Sequence, residues 1–302
     1  MKGYKGFEPG LICRGKQYAE NTVFEEEEAE IYSYGMHFCE NPFDVLDYYG
    51  FTNDNGDFNE FAEVEALDEV KTNDNRKYCT KKLKIGAKLS ISKFINACVD
   101  FAIEKTSTCI ADNKISSGDF AQIGSSGDSA QIGSSGYSAQ IGSSGDFARI
   151  GSSGDSAKIG SSGDFAQIGS SGDFAQIGSS GDSARIGSSG DSAKIGSSGN
   201  SAQIGSSGDF ARIGSSGDSA KIGSSGDFAQ IGSSGKDCVI CCAGHNSVVK
   251  AKKGSWITLA EWEYSEEKER YIPKCVKTEF VDGERIKEDT LYKLIDGEFV
   301  EV

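Results

Sequence analysis

From Ile123 to Ile231 an isoleucine recurs every nine residues, thirteen times without a slip. Between isoleucines the chain reads Gly-Ser-Ser-Gly-Asp-(Phe/Ser)-Ala-(Gln/Lys/Arg), with few departures. A fixed period of this kind predicts a repeat architecture in which each unit stacks on its neighbours. In a strand, Ala121 and Ile123 share one face while Phe120 and Gln122 share the other. The Phe position becomes Ser129, Ser138 and Ser156, and the Gln position becomes Arg149, Lys158, Arg185 and Lys194. Losing a core Phe costs ~3–5 kcal/mol, and an unpaired buried Lys costs more. The pattern therefore puts Ala and Ile inside and the exchanging positions outside. Gly-Ser-Ser-Gly supplies a tight corner, which the following Asp can brace through its side chain.

One nonapeptide cannot close around a core, and three would enclose more space than Ala and Ile can fill. Two units give a flat, two-sided coil of about 18 residues. The thirteen units then make six and a half coils, a rod of roughly 31 Å at ~4.8 Å per coil. Two glycines in every nine residues exclude a helix. The strict phase of Ile and Ala argues against a flexible linker.

The flanks lose the period. Residues 10–14, 22–25, 61–67 and 78–85 read as strands, residues 53–57 as a loop, and Glu25 to Glu28 as a solvated acidic edge. Asn41-Pro42 starts a helix carrying Phe43, Val45, Leu46 and Tyr49. Ser92 caps a second helix through Phe94, Ile95, Cys98, Val99, Ala102 and Ile103, predicted to cover the first coil. Beyond the repeat, Cys238 falls on the Ala position and Ile240 on the Ile position. Residues 255–262, 274–281, 285–295 and 299–302 then read as a meander, with Asp282-Gly283 and Asp296-Gly297 as turns and Trp256 and Trp262 over the last coil. The expected fold is mainly β: an N-terminal α+β domain (1–108), a two-sided parallel β-solenoid (109–250) and a C-terminal antiparallel β-meander cap (251–302).

Charge narrows the function. The net charge is −15 and the pI about 4.7, which argues against nucleic-acid binding through a basic surface. No 18-residue apolar run predicts a membrane span, and residues 1–7 lack an apolar signal core. Nine cysteines without framework spacing suit a reducing compartment, so a cytoplasmic location is expected. The repeat carries eleven Asp against six Lys and Arg. A duplex of its length would carry roughly eighteen charges, so an acidic DNA mimic would need help from the flanks. Calcium-binding nonapeptide rolls need a second Gly where this chain has Ser125, and no cofactor is called for.

The candidate binding residues are the outward aromatics. An 18-residue coil puts Phe120, Phe174, Phe210 and Phe228 on one side, and Phe147 and Phe165 on the other. The richer side is the candidate surface for a protein partner or for self-association. Cys238, Cys241, Cys242 and His245 have metal-like spacing, although Cys238 equally fills a small core slot.

Met1-Lys2-Gly3-Tyr4-Lys5-Gly6-Phe7, residues 13–18 from Cys13-Arg14-Gly15 to Tyr18, and residues 35–49 from Gly35-Met36-His37-Phe38 to Tyr49 resemble an uncharacterised domain of Firmicutes bacteria and their phages. The resemblance covers about residues 1–105, with parts of 240–265 similar to the same proteins. It implies a phage or prophage origin and carries no activity. Gly35-Met36-His37-Phe38 followed by Tyr48-Tyr49-Gly50 is also loosely similar to ADP-ribosyltransferases. In that family an early Arg or His and a late Glu grip and activate NAD. That resemblance points to Arg14, His37 and Glu63 or Glu65, while the family's Ser-Thr-Ser strand has no counterpart. The expectation is a non-enzymatic protein-binding scaffold, with an enzyme in the N-terminal domain as the alternative.

Overall fold

The computed structural model describes residues 1–53, 57–106 and 113–302; residues 54–56 of the expected 53–57 loop lie outside that set. The N-terminal domain, or head, is a seven-stranded antiparallel sheet built on β1 (Lys2–Phe7). Its other strands are β4 (Thr22–Glu25), β5 (Met36–Cys39), β6 (Glu60–Ala66), β7 (Val70–Thr72), β8 (Lys77–Thr80) and β9 (Lys82–Leu89). The order is β4-β9-β6-β1-β5-β8-β7, and a small hairpin of β2 (Ile12–Cys13) and β3 (Lys16–Gln17) stands outside the sheet. The strand expected over 78–85 is thus two, which join opposite halves of the sheet. Asn41 caps the short α1 (Pro42–Val45) as expected, its Oδ1 accepting the Phe43 N–H at 3.0 Å. For α2 (Ile91–Thr106) the cap is Ser90 instead of Ser92: Ser90 immediately precedes the helix, and its Oγ accepts the Lys93 N–H at 3.3 Å.

The solenoid has the expected two-sided coil. Strands recur every nine residues from β10 (Asn113–Ser116) and β11 (Gln122–Ser125) to β24 (Val239–Cys242) and β25 (Val248–Lys250). Alternate strands form two parallel sheets in perfect 18-residue register, such as Gln122 on Gln140 and Ile123 on Ile141. Eight repeat strands stack in each sheet, because the degenerate units at both ends also coil. Ile is inside from Ile123 and Ala from Ala130, and together they form one continuous core.

The corner differs from the sequence reading. The first Gly and first Ser of each unit belong to the strand, and that Ser points inward beside Ala and Ile. The Phe/Ser position lies in the turn, where Phe120, Ser129, Phe147 and their equivalents have φ near +56. The second Gly makes the tight stack: a Cβ at Gly163 would lie 2.0 Å from the Gly145 carbonyl oxygen one coil away. Asp does brace the corner, but across coils. The Asp164 N–H donates to Asp146 Oδ1 at 2.8 Å, and the Asp182 N–H to Asp164 Oδ1 at 2.7 Å.

The C-terminal cap is antiparallel and split between the sheets. β26 (Trp256–Ser265) adds to one sheet in parallel and pairs with β27 (Arg270–Phe280). β28 (Tyr292–Ile295) and β29 (Glu298–Glu301) extend the other, joined through Asp296-Gly297, both at positive φ. Trp262 Nε1 donates to the Ala243 carbonyl at 2.9 Å and ties the cap to the last coil.

The head does not cover the end of the rod. It lies along one side, with α2 crossing β11 and the strands after it in the same sheet. Phe43, Phe51, Ile95, Val99 and Ala102 form the layer that makes this contact, with Phe94 stacked on Phe61 behind them. The rod therefore has a covered sheet and an open one. At the first coil, Lys114 takes the Ile slot beside Ile132 and donates its Nζ to the Gly124 carbonyl.

Candidate functional site

Each sheet presents two outward columns: the Gln/Lys/Arg position and the first Gly. On the covered sheet both are occupied by the head. A Cβ at Gly178 would lie 2.7 Å from Phe51 and 3.0 Å from Ile95, and one at Gly142 would lie 2.8 Å from Ala102. Only glycine lets these side chains approach so closely. The polar column reads the α1 segment. Gln140 Oε1 accepts from Asn41 Nδ2 at 2.8 Å while its Nε2 donates to Asp44 Oδ1 at 3.1 Å. Lys158 Nζ sits 2.6 Å from Asp47 Oδ1, and Gln176 Nε2 donates to the Leu46 carbonyl at 2.8 Å. Arg76 completes the network at 2.7 Å from Asp44 and 2.6 Å from Asp47. Lys158 is only 2% exposed. The expectation that the Lys position is solvated fails here, because the head supplies carboxylates that a solenoid alone would not.

The open sheet repeats the same columns bare. At Gly151, Gly169, Gly187 and Gly205 a Cβ would meet nothing within 4 Å. Beside them runs Gln131, Arg149, Gln167, Arg185, Gln203 and Lys221, in parallel register. The covered column reads Gln122, Gln140, Lys158, Gln176, Lys194, Arg212 and Gln230, so its stretch from Gln140 to Lys194 shows the same alternation of amide and cation. Among the described residues Arg149, Arg185 and Lys221 make no ion pair. They stand two coils apart, about 9.6 Å. The face forms a long groove of about 1170 Å³ that is apolar at both ends. Ile115 sits in a Gly slot at one end and is 91% exposed; Val239, Trp256 and Phe280 are exposed at the other.

The aromatics line the corners. Phe120, Phe174, Phe210 and Phe228 share the corner leading into the covered sheet, and all are exposed. Phe210 and Phe228 stack at 5.1 Å, and the line continues through His245 to Tyr271. Phe147 and Phe165 stack at 5.1 Å on the corner leading into the open sheet. With Arg185, Gln203 and Lys221 they line a side groove of about 530 Å³. Sequence reasoning found the rings but missed the open cationic column, whose residues match those of the covered sheet.

The other candidates separate. Strand alternation turns Cys238 and Cys242 inward and leaves Cys241 exposed, while His245 stacks on Tyr271 at a corner, so the four do not converge as a ligand set. Arg14 and His37 both line a cleft in the head, but Glu65 sits on β6 opposite Lys2 and, like Glu63, is not part of its wall. His37 Nε2 accepts the Tyr32 N–H at 3.1 Å and so pins the preceding loop. Among the described residues no helix is long and apolar enough to cross a membrane.

Residues 1–97 match a family described as a domain of unknown function, DUF7666. No curated protein and no solved structure matches the chain.

Proposed function

We propose that this chain is a non-enzymatic scaffold that holds an acidic protein partner along the open sheet of its solenoid. The observation that carries this reading is the molecule's own precedent. A glycine column beside alternating amides and cations already holds one protein surface, the Asn41–Asp47 strip and the apolar residues around it. The same arrangement recurs uncovered, with three cations that lack carboxylates on a chain of net charge −15. The partner presents carboxylates beside small apolar side chains, so that it fits the bare glycines and neutralises Arg149, Arg185 and Lys221. The exposed rings of Phe147 and Phe165 give the groove an aromatic edge. The column of Phe120, Phe174, Phe210 and Phe228 offers a second contact at the other corner. The resemblance of the head segments suggests a phage or prophage accessory protein acting in the cytoplasm of its host, with a host protein, including a defence component, as the target.

The test compares capture of host proteins by the native chain with capture by a variant carrying Arg149→Glu, Arg185→Glu and Lys221→Glu. The same acidic band should appear with the first and vanish with the second, at equal melting temperature. Retention in that variant together with loss in Phe210→Ser/Phe228→Ser moves the site to the corner. A concentration-dependent increase in mass of the native chain alone, abolished by the triple variant, identifies the partner as a second copy.

A further inference from the structure

The head holds a feature that the open sheet does not explain. A cleft of about 500 Å³ opens beside the β2–β3 hairpin, whose turn, Arg14-Gly15, has φ of +51 and +76. Four cations line it, Lys5, Arg14, Lys16 and Lys77; Lys16 is paired, which leaves three. Lys5 is 5% exposed and Lys77 7% exposed, and Arg14 stands at the rim. The carboxylates of the wall, Glu26 and Asp47, are already engaged. Glu26 pairs with Lys16, and Asp47 pairs with Lys158 and Arg76. Among the described residues Lys5, Arg14 and Lys77 have no acidic partner.

Burying a charge without a counterion costs several kcal/mol. The head offsets that cost only in part, and by means that leave the charge available. Lys77 Nζ lies 4.0 Å from the Tyr48 ring centre, and Lys5 Nζ 5.5 Å from those of Phe7 and Tyr18. Lys5 also donates to the His37 carbonyl at 2.9 Å. Ring faces attract a cation without quenching it, so an entering anion still meets the full charge. The neighbouring groups register the same field. Burial first, and then the charges of Lys77, Lys5 and Arg14, push His37 down to about 4, against a small upward pull from a backbone bond at Glu30. Lys5 and Lys77 are each lowered, mainly by burial. Tyr34 stands at the mouth with its ring exposed.

We propose that this cleft binds a small phosphorylated ligand of mononucleotide size, with its phosphate among Lys5, Arg14 and Lys77 and its planar ring against Tyr34. A phosphate supplies the missing negative charge and several strong acceptors at once. The cleft volume lies within the range of small-ligand sites, which is roughly 300–1,000 Å³. The site is independent of the open sheet.

Calorimetric titration of the full chain with AMP, inorganic phosphate and adenosine tests it. AMP should bind, phosphate should compete with it, and adenosine should bind at least tenfold more weakly. Lys77→Met should weaken AMP at least tenfold while leaving the melting temperature equal or higher, since it removes a buried charge. Arg14→Asn keeps the left-handed turn and should weaken AMP comparably, which serves as the reporter should Lys77→Met fail to fold. Adenosine binding as tightly as AMP, AMP affinity unchanged in the folded variants, or saturation by neither AMP nor phosphate at millimolar concentration overturns the proposal.

Discussion

At most corners of the rod a side-chain oxygen accepts a backbone N–H from the next coil. Asp182 Oδ1 accepts the Asn200 N–H at 2.7 Å, and Asn200 Oδ1 accepts the Asp218 N–H at 2.9 Å. The oxygen makes the bond, and its charge is dispensable. Asp182→Asn should therefore leave stability unchanged, whereas Asp182→Ala leaves the exposed Asn200 N–H to water and should cost ~0.5–1.5 kcal/mol. Denaturant unfolding of both variants checks this; equal losses would show that the carboxylate charge holds the corner. The residue beside each Asp shows what sequence reasoning could and could not reach. That it points outward followed from the free exchange of Phe and Ser. That it adopts a left-handed turn did not, because period-two alternation begins only at the Gln/Lys/Arg position, two residues beyond it. The available signal was the degenerate coils, where the same position is Asp237 and Asn246, both with positive φ. Short polar side chains tolerate that conformation, while a bulky ring there is strained. Six exposed Phe rings persist despite that strain, which supports a contact role for them.

At the scale of elements, the strands and their 18-residue pairing were legible, because only a two-sided coil lets Ala and Ile fill the interior. The docking of α2 along the rod was not. The repeat gives covered and open strands the same residues, so nothing in a single unit marks which sheet lies beneath the head. Lys158 and Arg149 occupy equivalent positions, yet one is buried on Asp47 and the other solvated. The usable hint lay in the head, where Phe43, Phe51, Phe94, Ile95 and Val99 exceed what a small sheet needs for its own core. One substitution made on each face exposes the difference. Gly187→Val enters open space and should leave the melting temperature unchanged, since a β-branched residue suits a strand. Gly178→Val drives a side chain into Phe51 and Ile95 and should cost ~1–3 kcal/mol. Hydrogen exchange should then show α2 loosened in the second variant alone. Equal protection of α2 in both would mean that the head does not rest on this column.

At the scale of the molecule, head and solenoid are two folded units joined by one recognisable interface. The Ile and Ala core runs through the rod without a head residue, so a fragment of residues 113–302 should fold and leave both sheets bare. The head fragment, residues 1–106, then becomes a probe for what each sheet recognises. It should dock first on the covered sheet, where Gln140, Lys158 and Gln176 meet Asn41, Asp44, Asp47 and the Leu46 carbonyl. It should dock more weakly on the open sheet, where Gln131, Arg149, Gln167 and Arg185 repeat the alternation with Arg in place of Lys. Calorimetric titration should therefore show two sites. Lys158→Glu should remove the tighter one by placing like charge against Asp47, and Arg185→Glu should remove the weaker one. Asp47→Lys in the head should impair both. A single site indifferent to Arg185→Glu would show that the open sheet does not share the recognition on which its proposed role rests. Two sites that respond separately would make the solenoid a surface read twice: once by its own head, and once by a partner with the same pattern of carboxylates and apolar side chains.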